Sequence, residues 1–197
     1  TDSEFETLLN EDYVTSKAFD NRFGCALAVD VLDELKNEAL DINLVAGANV
    51  QEEVGLRGAK VAAHKVKPDL AIAVDVGVAY DTPGLESDGD VKIGQGPIVL
   101  TLDATNVGHV GLIRHVKKVA KAHNIELQWD SMPGGGTDAG NMHTALDGIP
   151  SIALSIPLRY MHSNVSVIDQ KDYQKAVQLV TEIIRALNDD VVDEIIW

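Results

Sequence analysis

Short apolar runs alternate with amphipathic segments along the whole of this 197-residue chain. Residues 20–36 carry apolar side chains at four-residue steps, which predicts a helix with a broad buried stripe made of Phe23, Leu27, Val31 and Leu35. The run at 70–74 is continuously apolar, as is typical of a strand buried on both faces. Similar patterns predict strands at 42–48, 97–102, 125–129 and 150–156, and helices at 55–66, 107–122, from the turn at 133–138 to about 146, and 169–187. The alternation predicts an α/β fold with a mostly parallel sheet flanked by helices.

Composition excludes several classes of partner. The chain has 31 Asp and Glu residues against 16 Lys and Arg residues, a formal net charge of −15, which repels nucleic acids and anionic membranes. No apolar run approaches the roughly 20 residues that span a bilayer. Cys25 is the single cysteine, so no intramolecular disulfide forms, and we expect a reducing compartment, the cytoplasm.

Acidic and histidine side chains stand where ligands usually bind in open α/β sheets, at the ends of strands. Three predicted strands are followed by such residues and a further one opens the first helix, which gives Glu52 and Glu53, Asp75, His162 and Asp20. Carboxylates that crowd together raise one another's pKa unless a cation lies among them. Carboxylate oxygens with an imidazole suit Zn²⁺, Mn²⁺ or Co²⁺, so these residues predict a metal site.

The adjacent pair Glu52 and Glu53 is the most informative element of this set. The pair lies beyond the predicted end of a strand, in a turn where Gly55 gives the backbone extra conformational freedom. In such a turn both side chains can face one pocket. One could then bind a metal while the other accepts a proton from the metal-bound water. The alternative interpretation is an ordinary solvated acidic turn.

The remaining polar motifs have more than one interpretation. His109, His115 and His123 share a predicted helix with several basic residues, and we expect them on its solvent-exposed face. The glycine-rich residues 134–137 lack the lysine and spacing of a P-loop, so a nucleotide is not expected there. Their backbone either lines a substrate cleft or forms a plain flexible turn.

Five short motifs, in order along nearly the whole chain, resemble those of the cocatalytic dimetal aminopeptidases, which include glutamyl aminopeptidase and the tetrahedral TET aminopeptidases. They are residues 18–22 (Ala-Phe-Asp-Asn-Arg), 51–55 (Gln-Glu-Glu-Val-Gly), 74–75 (Val-Asp), 135–139 (Gly-Gly-Thr-Asp-Ala) and 159–163 (Arg-Tyr-Met-His-Ser). Residues 81–84 and 160–167 look closest to the glutamyl branch. The resemblance implies a zinc-peptidase-like three-layer sandwich.

The resemblance also implies a role for each candidate residue. Asp20 looks like the carboxylate that bridges two metals, and its peptide bond to Asn21 is expected to be cis. Glu52 looks like the general base. Glu53 and His162 look like ligands of the first metal, and Asp75 looks like a ligand of the second. The implied cofactors are two divalent ions: zinc, cobalt or manganese.

The family supplies a further histidine to the second metal from an N-terminal His-x-Asp motif, and this sequence has no such motif. The family also carries an inserted dimerisation domain that the sequence lacks. We therefore expect residues 1–197 to be most of one metallopeptidase catalytic domain, without the N-terminal segment and the inserted domain. The second metal site is expected to be incomplete in this chain, and the full-length protein to be a homo-oligomer.

The function implied is metal-dependent hydrolysis of N-terminal residues, acidic ones among them, from peptide substrates by a dimetal-activated water. Gly136 and Thr137 are candidate substrate contacts. Arg159 is another, as the cation for an acidic side chain, although Arg57, Arg22 and Lys17 remain open for that role. Two alternative functions from other classes remain open. One is a metal-free binding or assembly paralogue on the same scaffold, and the other is a glycan hydrolase that uses paired carboxylates.

Overall fold

The computed structural model describes residues 5–8 and 11–197, which form two sheets flanked by helices. The strands are β1 (Glu6–Thr7), β2 (Tyr13–Ser16), β3 (Ala71–Val78), β4 (Ile98–Asp103), β5 (Gln128–Met132), β6 (Ser151–Leu158) and β7 (Ser166–Asp169). The helices are α1 (Phe19–Leu35), α2 (Arg57–Val66), α3 (Val110–Ala122), α4 (Ala139–His143), α5 (Gln170–Arg185) and α6 (Asp189–Ile196).

The main sheet has the strand order β3-β6-β4-β5. β3 runs parallel to β6 and β4 runs parallel to β5, while β4 and β6 are antiparallel. Asp75 of β3 lies opposite Ser155 of β6 in this register. The predicted α/β fold with a mostly parallel sheet is confirmed.

One face of the main sheet carries large apolar side chains. Ile152, Leu154 and Ile156 alternate along β6 and join one core cluster with Leu27 of α1 and Leu179 of α5. All five are almost fully buried. Burying such a side chain contributes about 1.5–3 kcal/mol, so this face stabilises the fold substantially.

The opposite face carries mostly small residues. Ala73 of β3 and Ala153 of β6 form a separate small cluster with Ala139 of α4 and Leu100 of β4. α4 packs on both strands and against α2. Because these side chains are short, α4 approaches the sheet closely, and room remains beside Asp75 for polar side chains from loops.

The second sheet, with the order β1-β2-β7, is antiparallel throughout and was not predicted from the sequence. An isolated bridge between Arg159 and Val167 connects β6 to β7 and closes the turn between them. Strands of two to four residues give too little periodicity to detect. The turn between β6 and β7, which this bridge closes, carries His162.

The strand predicted at 42–48 is wrong. These residues have no regular secondary structure, because a strand needs a neighbour for its backbone groups and none pairs with it in the part of the chain that the structure describes. Ile42 and Leu44 pack against the main core, whereas Val45 is 64% exposed. The short helix α6 was not predicted either.

The prediction that His115 is solvent-exposed is also wrong. His115 shares the buried face of α3 with Leu112, Val116 and Ala120, and so faces the core. The ring Nε2 of His115 lies 3.4 Å from the carbonyl oxygen of Ile183, and burial lowers the pKa of the ring. His123 is exposed, as predicted.

Two aspartates at the start of α5 stabilise the helix and the loop beside it. Asp169 caps the helix by accepting a hydrogen bond from the Lys171 amide at 2.7 Å. Asp172 is fully buried and accepts hydrogen bonds from the amides of Gly94 at 2.6 Å and Gly96 at 2.7 Å. Asp172 therefore holds the loop that leads into β4.

Replacing Asp172 with alanine is expected to lower the free energy of unfolding by about 1–3 kcal/mol, because two amides then lose their acceptor in a buried site. Urea denaturation at pH 5 measures the change, because burial raises the pKa of Asp172 to about 6 and the ionised carboxylate opposes folding above that pH. The matched control is Asp147→Ala, which removes an exposed aspartate and is expected to change stability by less than about 0.5 kcal/mol. Equal stability of the two variants would contradict this role for Asp172.

Candidate metal centre

Asp20 reaches the site because the beginning of α1 is held tightly against β3. The side chain of Asn21 donates to the carbonyl oxygen of Val74 at 2.8 Å and accepts from the Gly24 amide at 2.8 Å. A Cβ atom at Gly24 would lie 2.6 Å from the same Val74 oxygen, so a larger residue would push the helix away. The peptide bond between Asp20 and Asn21 is cis, as the resemblance implied.

Glu52 and Glu53 lie in a tight turn between the irregular segment after α1 and the beginning of α2. The amides of Gly55 and Leu56 both donate to the carbonyl oxygen of Glu52, at 3.0 and 2.8 Å. Gln51, with φ 61°, has a left-handed backbone conformation. The turn leaves Glu52 half-buried and Glu53 exposed.

His162 lies in the turn between β6 and β7. Ser163 stabilises this turn, because its hydroxyl lies within hydrogen-bonding distance of the carbonyl oxygens of Tyr160 at 2.7 Å and Val165 at 2.6 Å. His162 itself has a φ of 57°. The left-handed conformation is uncommon for a residue other than glycine, and it is often found at binding sites.

The three elements bring one histidine and two carboxylates together. The His162 Nε2 lies 3.1 Å from an Asp20 carboxylate oxygen and 3.5 Å from a Glu53 carboxylate oxygen. Each residue offers one ligand atom, and these atoms all lie within 4.8 Å of one another. Among residues 5–8 and 11–197, no other group of three acidic, histidine or cysteine residues meets this condition.

The donor chemistry fits a divalent transition metal, since two carboxylate oxygens and one imidazole nitrogen are ligands that zinc accepts. The resemblance implied that Asp20, Glu53 and His162 bind one metal, and the structure brings those three together. Their function as metal ligands stays a prediction. Asp75 lies outside this three-residue group, although the charges of Asp20 and Glu52 both raise its pKa.

Burial controls the electrostatics of the site. It is the largest cause that raises the pKa of Asp20, and it raises the pKa of Glu52 to about 7 and that of Asp75 to about 8. Repulsion by neighbouring carboxylates adds to each of these pKa shifts. We expected raised pKa values from repulsion in the metal-free site, and desolvation contributes more than repulsion does.

Asp138 is a polar residue beside Glu52, and no role in the site was predicted for it from the sequence. After burial, its negative charge is the largest influence that raises the pKa of Glu52, ahead of Glu53 and Asp20. One carboxylate oxygen of Asp138 accepts a hydrogen bond from the Asn49 amide group at 2.8 Å. Only its place in a glycine-rich motif hinted at a role, because the proximity to Glu52 arises from tertiary packing.

Gly136 and Thr137, the candidate substrate contacts, pack against the end of β4 and the loop that follows it. The hydroxyl of Thr137 is buried and donates to Asp103 at 3.4 Å. A Cβ atom at Gly136 would lie 2.6 Å from the hydroxyl oxygen of Thr105, so the glycine permits a close approach of two loops. A substrate contact by Gly136 or Thr137 stays a prediction.

Arg159 forms a bidentate ion pair with Asp81 in the structure. Its Nε and Nη2 atoms donate to the two carboxylate oxygens at 3.2 and 2.5 Å. Its guanidinium also lies 5.8 Å from the centre of the Tyr13 ring. A guanidinium has five N–H donors, so this pairing leaves donors for a further anion, and a substrate role for Arg159 stays a prediction.

Comparison with known proteins gives several relatives that are described as aminopeptidases. A putative aminopeptidase of Acetivibrio thermocellus is 45% identical over 180 residues, covering 91% of this chain and 53% of that protein. A glutamyl aminopeptidase of Lactococcus lactis is 39% identical over 98% of this chain and 54% of its own length. A lysyl aminopeptidase of Pyrococcus furiosus is 33% identical over 92% of this chain and 51% of its own length. The chain thus spans about half the length of the curated relatives it matches.

Two solved peptidase structures have the same fold. A TET aminopeptidase from a marine sediment thaumarchaeon superposes with a TM-score of 0.94 at 37% identity, covering 98% of this chain and 55% of that chain. The TET1 peptidase of Pyrococcus horikoshii, described as assembling into a tetrahedron or a large octahedral shell, gives a TM-score of 0.81 at 33% identity over 93% of this chain and 53% of that chain.

Within the described residues, no helix combines the length and apolar character required to cross a membrane. The family model for the M42 glutamyl aminopeptidases matches residues 1–179. With the predicted motifs in place and the same fold in solved relatives, this chain belongs to the M42 glutamyl aminopeptidase family.

Proposed function

We propose that this chain carries the catalytic centre of a metal-dependent aminopeptidase that removes N-terminal residues from peptides. The single observation that carries the proposal is the convergence of Asp20, Glu53 and His162 beside Glu52. Family membership supports the peptidase class, and the relatives' names support the aminopeptidase activity.

The metal set that we propose is built from residues of this chain. Asp20, Glu53 and His162 would hold one divalent ion, and Asp20 with Asp75 would contribute to a second. Bound there, the ions would polarise the scissile carbonyl and lower the pKa of the attacking water.

Glu52 is the proposed general base. Its raised pKa of about 7 suits a group that must accept and release a proton near neutral pH. Glu52 takes a proton from the attacking water and later gives it to the leaving amine. Partial burial excludes bulk water around the Glu52 carboxylate and keeps its pKa in this range.

We propose that the second metal position takes a further ligand in addition to Asp20 and Asp75. In our proposal an imidazole comes from a part of the enzyme outside residues 1–197, which together form most of one catalytic domain. The coverage of relatives, at 51–54% of their length, supports this interpretation. The complete enzyme is proposed to be a homo-oligomer, as described for the TET1 peptidase, and to act in the cytoplasm.

Neither alternative function is favoured. The curated relatives quoted above are all described as aminopeptidases, which gives no support to a binding paralogue or a glycan hydrolase. A carboxylate-pair glycan hydrolase needs no imidazole between its acids. Here His162 lies within 3.5 Å of both Asp20 and Glu53.

We propose acidic N-terminal residues among the substrates, with Arg159 as the cation that contacts them. The glutamyl relative supports this preference, whereas the lysyl relative has a different one. The substrate carboxylate would have to share the guanidinium with Asp81.

Replacing Glu52 with glutamine is expected to lower kcat of the metal-loaded, complete enzyme about 10²–10⁴-fold while metal content stays the same. Glutamine keeps the shape of the side chain but cannot accept the proton. Steady-state kinetics and metal analysis of the same preparation measure the two quantities. A kcat close to that of the unsubstituted enzyme would assign the base to another residue.

The 197-residue chain alone is expected to bind at most one divalent ion tightly. Three mixed ligands hold Zn²⁺ better than two carboxylates do. Isothermal titration with Zn²⁺ measures the stoichiometry. His162→Ala should abolish the tight site, whereas Asp75→Asn should retain it. Two tight ions per chain would contradict the proposed incomplete second site.

Replacing Arg159 with glutamine is expected to raise KM for an N-terminal glutamate substrate about 10-fold or more, because a charge-assisted hydrogen bond is lost. KM for an N-terminal leucine substrate should change by less than about 2-fold. A panel of aminoacyl substrates measures both, with Arg57→Gln as the matched control. An equal change for both substrates would remove Arg159 from side-chain recognition.

A further inference from the structure

Two polar residues at the beginning of α4 contact the two ends of the turn that carries Glu52. Asp138 accepts a hydrogen bond from the Asn49 side chain at 2.8 Å, before the turn. Asn141, three residues later, donates to the carbonyl oxygens of Gly55 at 3.1 Å and Leu56 at 2.7 Å, after the turn. Residues three apart lie on the same side of a helix, so one face of α4 holds both ends.

The turn needs such support because its backbone occupies sparsely populated conformations. Gln51 and Leu56 have φ values of 61° and 55°, in the left-handed region, and neither is a glycine. Conformations of this kind persist where the surroundings determine them. Within the turn, the amides of Gly55 and Leu56 donate to Glu52, and the amides of residues 57 and 58 donate to the carbonyl oxygens of residues 51 and 50. Asn141 and the Asp138–Asn49 pair connect this turn to α4.

α4 is itself fixed relative to the sheet. Ala139 and Gly140 are buried, and Ala139 joins the cluster of small residues on β3 and β6. A Cβ atom at Gly140 would collide with Thr105, so α4 and the loop after β4 pack without spare room. The contacts from α4 therefore tie the Glu52 turn to the same sheet that carries Asp75.

We propose that Asp138 and Asn141 are positioning residues that hold Glu52 at its working distance from the substrate, Asp138 through Asn49 and Asn141 through the carbonyls of Gly55 and Leu56. The inference rests on the proposed function, since Glu52 is the proposed base. Neither residue belongs to the proposed metal set, so their loss should reduce turnover without removing metal. The charge of Asp138 strengthens its hydrogen bond to Asn49.

A double-mutant cycle tests the route through Asn49 in the complete, metal-loaded enzyme. Asp138→Ala and Asn49→Ala should each lower kcat about 10- to 100-fold, because a displacement of about 1 Å of a catalytic group can cost that much. KM should stay within about 2-fold. The double variant should be no slower than the slower single variant, since both remove the same contact. If the fold-reductions in kcat of the two single variants multiply in the double variant, the proposed route through Asn49 fails.

A conservative variant separates positioning from general loss of stability. Asp138→Asn keeps an acceptor for Asn49 but removes the charge that helps to raise the pKa of Glu52, so its pH profile should shift to lower pH. At the optimum of that profile, kcat should return to within about 3-fold of the unsubstituted enzyme. The matched control is Thr144→Ala, which removes a side-chain hydrogen bond within α4 to the Gly140 carbonyl and leaves the Glu52 turn untouched. Its kcat should be unchanged. If Asp138→Asn is as slow as Asp138→Ala, the positioning role through Asn49 fails.

Hydrogen–deuterium exchange of the 197-residue chain gives a readout that needs no catalytic activity. In Asn141→Ala, the amides of residues 55–58 should exchange about 10-fold faster, whereas β6 should be unaffected. Unchanged exchange at residues 55–58 would overturn the role of Asn141. The proposed function fails separately, if the complete, unsubstituted enzyme cleaves no peptide. Faster exchange at residues 55–58 in Asn141→Ala would still show that Asn141 supports the turn.

Discussion

Repulsion and desolvation among carboxylates at one edge of β3 form the constraint on which the rest of the structure depends. Asp20, Glu52 and Asp75 all have raised pKa values, and burial is the largest cause for each. Without a cation, ionising these groups opposes folding as the pH rises through their range, because the folded state binds more protons than the unfolded state does. The large apolar face on the other side of the sheet offsets this cost, and a bound divalent ion would reduce it further.

The main sheet has one face of mostly large apolar side chains and one face of mostly small ones. Ile152 and Leu154 alternate with Ala153 and Ser155 along β6. The bulky side packs against α1 and α5 and supplies burial. The small side admits α4 and polar loops, which a face of leucines would exclude sterically. One strand thus serves both stability and the site, through its two-residue periodicity.

Local patterns in the sequence predicted the helices and buried strands well, and the rest depended on partners elsewhere in the chain. α1 and its buried stripe were predicted because four apolar residues repeat at helical spacing. The strand at 42–48 failed because apolar composition does not supply a neighbouring strand. His115 was assigned to solvent because basic neighbours outweighed the phase of the helix. Asp138 was missed because only tertiary packing brings it near Glu52.

The adjacent residues Glu52 and Glu53 illustrate how one turn separates two chemical functions. Glu53 is 59% exposed and lies 3.5 Å from His162, where a carboxylate stays accessible to a cation. Glu52 is half-buried, and desolvation raises its pKa to about 7, where proton transfer is efficient. A regular strand would also send the two side chains apart, but to opposite faces of the sheet, away from a common site. The left-handed conformation at Gln51 is part of the irregular turn that keeps both near His162, and the contacts of that turn with α4 link its geometry to the sheet.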